Sequence, residues 1–133
     1  MTLKSNGRKT METIFENAAD FAERYIRYNW DRNLRDDTSR QWCPKWWCHP
    51  EAYTRITFLW AWYEFAFTSD SYSEMAQWLQ FFDYEMDALT QPGGCFRHCV
   101  GGHSDAVAYQ AEEFPLTPAI DALAFQSEEN TDQ

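Results

Sequence analysis

Positive charge is scarce over most of this chain. Residues 56–133 carry thirteen acids against one base, Arg97, a formal charge of −12, and the 133-residue whole stands at −10. An acidic balance favours solubility and argues against non-specific binding to DNA or anionic membrane. No apolar run is long enough to span a bilayer. No apolar signal-peptide core opens the sequence, so the expected location is the cytoplasm. Internal repeats, a convincing hairpin, a Ser/His/Asp signature and a phosphate-cradling glycine loop are all missing. The glycine pairs at 93–94 and 101–102 read as turns.

Aromatic residues, by contrast, are plentiful. They make up 18% of the chain, with seven Trp, seven Tyr and ten Phe, a content that disordered proteins do not have. The length fits one domain with a modest core. We expect a polar tail over residues 1–10, a single domain over 11–125 and a second tail over 126–133.

Apolar periodicity reads as three helices. The first runs from about Glu12 to Arg32, with Ile14, Ala18, Phe21, Tyr25 and Ile26 on its inner stripe. A charged loop follows. Pro50 with Glu51 marks a helix start, and the second helix runs to about Phe67. Ala52, Ile56, Leu59, Trp60, Tyr63 and Phe67 form its inner face, widened by Phe58, Trp62 and Phe65. Ser71 and Glu74 fit a capping box for the third helix, about Tyr72 to Leu89. Met75, Leu79, Phe82, Met86 and Leu89 mark its inner face. Beyond it, Phe114, Leu116, Ile120 and Phe125 are expected to pack as an arm or short helix. The fold class is mainly α.

Cysteine and histidine fall in two clusters. QWCPKWWCHPEA supplies Cys43, Cys48 and His49, and CFRHCVGGHSD supplies Cys95, His98, Cys99 and His103. In a reducing compartment such mixtures read as metal binding rather than disulfides. Structural zinc takes four thiolate or imidazole ligands in a tetrahedron. Cys43 with His49 and Cys99 with His103 make one Cys2His2 set, and the metal would tie together both ends of the second and third helices. Cys48, Cys95 and His98 are the alternative ligands.

The motifs WCPKWWCHPEA, RITFLWAWYE and GGCFRHCVGGHS together resemble an uncharacterised family, a domain of unknown function carried by actinobacterial plasmids, phages and integrated elements. The similarity covers about residues 13–104. The family's cysteines and histidines fall on Cys43, His49, Cys99 and His103, and Cys95 stands where the family has proline. The resemblance implies a mobile-element origin in a bacterial host and carries no activity with it.

Three functions remain. The first is a non-catalytic, zinc-stabilised accessory protein that binds another protein, with an anti-defence inhibitor blocking a basic nucleic-acid-binding surface as its sharpest form. Glu74, Asp83, Glu85 and Asp87 are then the candidate contacts with a basic partner. The second is a nucleic-acid-associated protein using the basic segment from Arg24 to Lys45, which includes Arg32, Arg35 and Arg40, beside Trp42, Trp46 and Trp47. We expect those tryptophans to wall the metal site instead. The third is a zinc hydrolase or deaminase with Glu51 as proton shuttle, since His49-Pro50-Glu51 resembles H-x-E. The later Cys-x3-Cys spacing and the missing strand–helix alternation count against that enzyme.

Overall fold

A computed structural model describes residues 12–34, 39–104 and 113–124 in full, and the backbone of 4–5 and 8–9. The expected tail at 126–133, Phe125 and Arg35 lie outside the described residues, as does most of 1–10. Within that first stretch, Lys4–Ser5 pairs antiparallel with Arg8–Lys9 on either side of Asn6-Gly7, a hairpin signal where no convincing hairpin was expected.

The domain is a helical hairpin with a third helix laid across it. Helix α1 (residues 18–29) is continuous but not uniform: Ala18–Phe21 is α-helical, Ala22–Ile26 π-helical and Arg27–Asn29 α-helical. Asn17 caps its start, accepting from the Asp20 N–H at 2.8 Å. This start lies later than the apolar pattern placed it. Residues 14–17 bend instead, because the Glu64 carboxylate takes the Ile14 and Phe15 N–H groups at 2.6 and 3.0 Å. Phe15 therefore points inward, and Ile14, expected inside, is 43% exposed.

Helix α2 is Pro50–Ala66 and helix α3 is Tyr72–Thr90, both within a residue of expectation. Only half of the capping box forms. The Ser71 hydroxyl accepts from the Glu74 N–H, but the Glu74 carboxylate accepts from Trp62 Nε1 rather than from Ser71.

Trp78 is the centre of the core. It is fully buried, donates from Nε1 to the Leu59 carbonyl at 2.9 Å, stacks on Phe82 at 4.9 Å and meets Phe21, Tyr25, Tyr63 and Phe67 edge-on. Aromatic pairs at such separations add to the burial of their surface. Trp78 takes the place expected of Leu79, which is 47% exposed. Ala52, Ile56 and Leu59 of α2 and Phe82, Met86 and Leu89 of α3 are buried as expected.

Two further expectations of burial fail. Phe58 and Phe65 of α2 are 52% and 53% exposed, because α1 covers only one face of the hairpin. Phe114, Leu116 and Ile120 of the C-terminal arm are exposed and do not join the core. Residues 120–124 of that arm are helical.

Candidate metal centre

The first metal loop is anchored before it reaches its ligands. Gln41 N–H donates to the Thr90 carbonyl at 2.6 Å, and Arg40 bonds Asp87 at 2.7 Å and the Thr90 hydroxyl at 3.1 Å. These contacts hold the incoming chain against the end of α3. A short 3-10 turn, Trp46–Cys48, then swings the backbone into α2, with His49 as the N-cap residue and Pro50 in the first turn.

The second loop leaves α3 through Gly93 and Gly94. Gly93 has φ +84°, and a Cβ on Gly94 would stand 2.9 Å from the Gln91 carbonyl oxygen. Two further turns, Gly94 to Arg97 and Phe96 to Cys99, coil the chain back toward His49. Phe96 anchors this loop. It is fully buried, 5.0 Å from the His49 ring and 5.1 Å from Trp42.

Four donor atoms converge as a result. The ligand atoms of Cys43, His49, Cys99 and His103 all lie within 4.8 Å of one another. Cys43 Sγ is 3.2 Å from His103 Nδ1, and Cys99 Sγ is 3.3 Å from His49 Nε2. Cys43, His49 and Cys99 are buried and His103 is half-buried. Two thiols and two imidazoles at such spacing can hold one metal ion.

The protonation of the free site points the same way. Burial, with Cys99 nearby, pushes the Cys43 thiol up to about 11, against a pull downward from the Lys45 backbone. Burial first, and His103 second, lower His49, while the Cys95 backbone acts in the opposite sense. A metal ion would resolve this conflict by replacing the thiol proton with a larger positive charge. His49 Nδ1, the nitrogen facing away from Cys99, is buried without a hydrogen bond of full geometry.

The alternative ligands stay outside this group. Cys48 and His98 are exposed, and Cys95 is partly buried with its thiol pushed up to about 12 by burial and by Glu51. All four cysteines are free thiols. The tryptophan wall is partial: Trp46 is buried and Trp42 half-buried, but Trp47 is 54% exposed.

The acidic residues proposed as partner contacts are placed unevenly. Glu85 pairs with Arg55, which also holds Glu51 at 3.0 Å, and Asp87 pairs with Arg40. Glu74 serves Trp62, and Asp83 is exposed. Glu64 went unnoticed in the sequence. An acid within an aromatic helix carries no signal that its partners are backbone groups fifty residues upstream.

This arrangement defines a small helical domain whose two loop clusters form one metal-capable Cys2His2 centre. The chain belongs to the family described as Domain of unknown function (DUF4913), whose model matches residues 15–119. No curated protein and no solved structure matches it.

Proposed function

We propose that this chain is a non-catalytic, zinc-stapled accessory protein of a mobile genetic element that works in the bacterial cytoplasm by binding another protein. The observation that carries the binding role is the uncovered face of the α2–α3 hairpin. Phe58 and Trp62 sit 5.7 Å apart, Trp62 and Phe81 4.9 Å apart, and Phe65 continues the row one turn on. Phe58, Phe65 and Phe81 are each about half exposed. Contiguous apolar surface of this kind marks an interaction site. The formal −12 of residues 56–133 favours a partner with a basic surface. Blocking such a surface on a host defence complex is the task this combination serves best, and the resemblance to a family carried by actinobacterial plasmids, phages and integrated elements supports that setting.

Zinc is the metal this site suits. Its bonds of about 2.3 Å to sulfur and 2.0–2.1 Å to nitrogen give a tetrahedral S···N edge of roughly 3.5 Å. The two S···N distances, 3.2 and 3.3 Å, stand close to that edge. Four protein donors also fill a tetrahedron, as structural zinc requires, whereas catalytic zinc keeps one position open. The test is capture of a partner from host lysate by the zinc-loaded protein at physiological salt. Recovery that Phe58→Asp with Phe81→Asp abolishes supports the reading. Recovery of no protein, or capture indifferent to those substitutions, sinks it.

A further inference from the structure

A cleft of about 440 Å³ lies between α1 and the first metal loop. Ile26, Arg27, Trp30, Arg32, Trp42 and Trp47 line it. The π-helical turn Ala22–Ile26 forms part of its wall, and π segments of this kind occur often at functional sites. Trp30 is buried, and its Nε1 donor meets no acceptor among the described residues. Trp47 lies half open at the rim.

The C-terminal arm is the cleft's physical complement. Every residue of 113–124 is exposed, including Phe114 at 56%, Leu116 at 77% and Ile120 at 80%. Its sequence, EFPLTPAIDALA, contains a P-x-x-P step at Pro115 and Pro118, two acids and no base. Residues 115–119 belong to no helix, strand or turn.

We propose that the cleft is a peptide-binding groove whose occupant is the arm 113–124 of a second copy of this chain, exchanged reciprocally. Proline fixes φ near −65° and favours a conformation close to polyproline II over residues 115–119, ahead of the helical residues 120–124. Aromatic-lined grooves receive such segments, since proline rings lie flat on indoles and the free carbonyls accept from indole N–H groups. Half-buried Trp42 and half-open Trp47 supply the rings, while buried Trp30, with Arg32 over its ring at 5.3 Å, forms the floor. Charge permits this fit without driving it, since Arg27 and Arg32 can pair with the arm's Glu113 and Asp121. Glu23 and Asp31 share the lining, which leaves the cleft near neutral and ill suited to a polyanion such as nucleic acid. The chain's own arm is exposed throughout, so among the described residues groove and ligand both stand unfilled within one copy. Two copies satisfy both pairs at once, with the closed two-fold symmetry that a self-complementary pairing produces.

The experiment is sedimentation velocity on the full zinc-loaded chain over a wide concentration range. The wild-type protein is expected to pass from monomer to dimer. Trp47→Ala or Arg32→Glu in the cleft, and Leu116→Asp with Ile120→Asp in the arm, each give a monomer. Far-UV circular dichroism and thermal melting confirm that these variants are folded. Mixing a cleft variant with an arm variant is expected to restore a heterodimer, because one intact cleft then meets one intact arm. A wild-type chain that stays monomeric overturns the proposal, and so does a mixture that stays monomeric. A dimer that survives both cleft variants but is lost with Phe58→Asp and Phe81→Asp assigns the arm to the outer aromatic face and also overturns it. A single-stranded oligonucleotide that quenches Trp47 fluorescence and dissociates no dimer would assign the cleft to nucleic acid instead.

Discussion

Cys99 Sγ lies 3.3 Å from His49 Nε2, although fifty residues separate them in the chain. The two helices of the hairpin fill that interval, so this contact closes a loop that the core alone leaves open at one end. A metal bound there ties the start of α2 to the segment leaving α3, and its binding free energy becomes folding free energy. Cys43→Ser and His103→Ala are each expected to lose zinc in metal analysis after gel filtration and to lower the melting temperature sharply. Cys48→Ser, on an exposed thiol, is expected to keep both. Equal damage from Cys48→Ser would mean that the ligand set is different. A protein that melts cooperatively at the same temperature with and without chelator would remove the staple altogether.

Glu64 does at the opposite end of α2 what a metal held by the Cys2His2 group would do at its start. Its carboxylate accepts from the Ile14 and Phe15 N–H groups and from Trp60 Nε1 at 3.2 Å. Hydrogen bonds to a charged acceptor contribute about 1.5–3 kcal/mol. Glu64→Ala should therefore cost about that much in a denaturant titration, and should open the α1 amides to hydrogen exchange more than those of α3. Glu64→Gln keeps an acceptor oxygen and should recover part of the loss. Uniform loosening of all three helices would show that the carboxylate has no local role at α1.

Trp78 and Leu79 are adjacent in sequence and opposite in energetic weight. Trp78→Ala removes a fully buried ring that touches aromatic side chains from all three helices, and about 3–5 kcal/mol of destabilisation is expected. Leu79→Ala truncates a side chain that is 47% exposed, and should cost well under half as much. Chemical denaturation of the two variants checks this. Equal costs would mean that something covers Leu79 in solution.

The reach of the sequence follows from where its patterns are one-sided. The helix ends of α2 and α3 were legible because Pro50, Ser71 and the Gln91–Gly94 stretch act locally. The metal-capable group of Cys43, His49, Cys99 and His103 was legible because Cys and His gather in two short loops and few other chemistries use them in fours. The inner face of α2 was not, since apolar residues run nearly all round it and no pattern says which side α1 will cover. The Leu79 error has the same origin: Trp78 and Leu79 are both apolar, and only the packing of α1 decides which turns inward. The bend at residues 14–17 depends on Glu64, a tertiary contact without any local mark.

Tyr25 and Cys95 both limit this fold at alkaline pH, and burial pushes the Cys95 thiol from the usual 9.0 up to about 12. Burial, with Tyr63 and then Asp83 adding negative potential, pushes the Tyr25 hydroxyl from the usual 10.0 up to about 12. Its ring stacks on Phe21 at 5.2 Å and leans on Tyr63 at 4.9 Å, so an ionised oxygen would bring charge to the edge of the aromatic core. Tyr63 is raised as well, by burial first and by Glu64 second. The unfolded chain releases these protons more readily than the folded one. The stability the tyrosines contribute is therefore fully present below about pH 10 and is lost as pH rises toward 12. Urea midpoints of the zinc-loaded protein should hold level from neutral pH to about pH 8.5, begin to fall as the unfolded chain's Cys95 ionises, and fall more steeply above about pH 10 as the tyrosines add their share. Tyr25→Phe with Tyr63→Phe keeps both rings and removes both titrations, so its midpoint should decline less over the same window. A variant whose midpoint falls in parallel with the wild type would place the alkaline loss elsewhere in the chain.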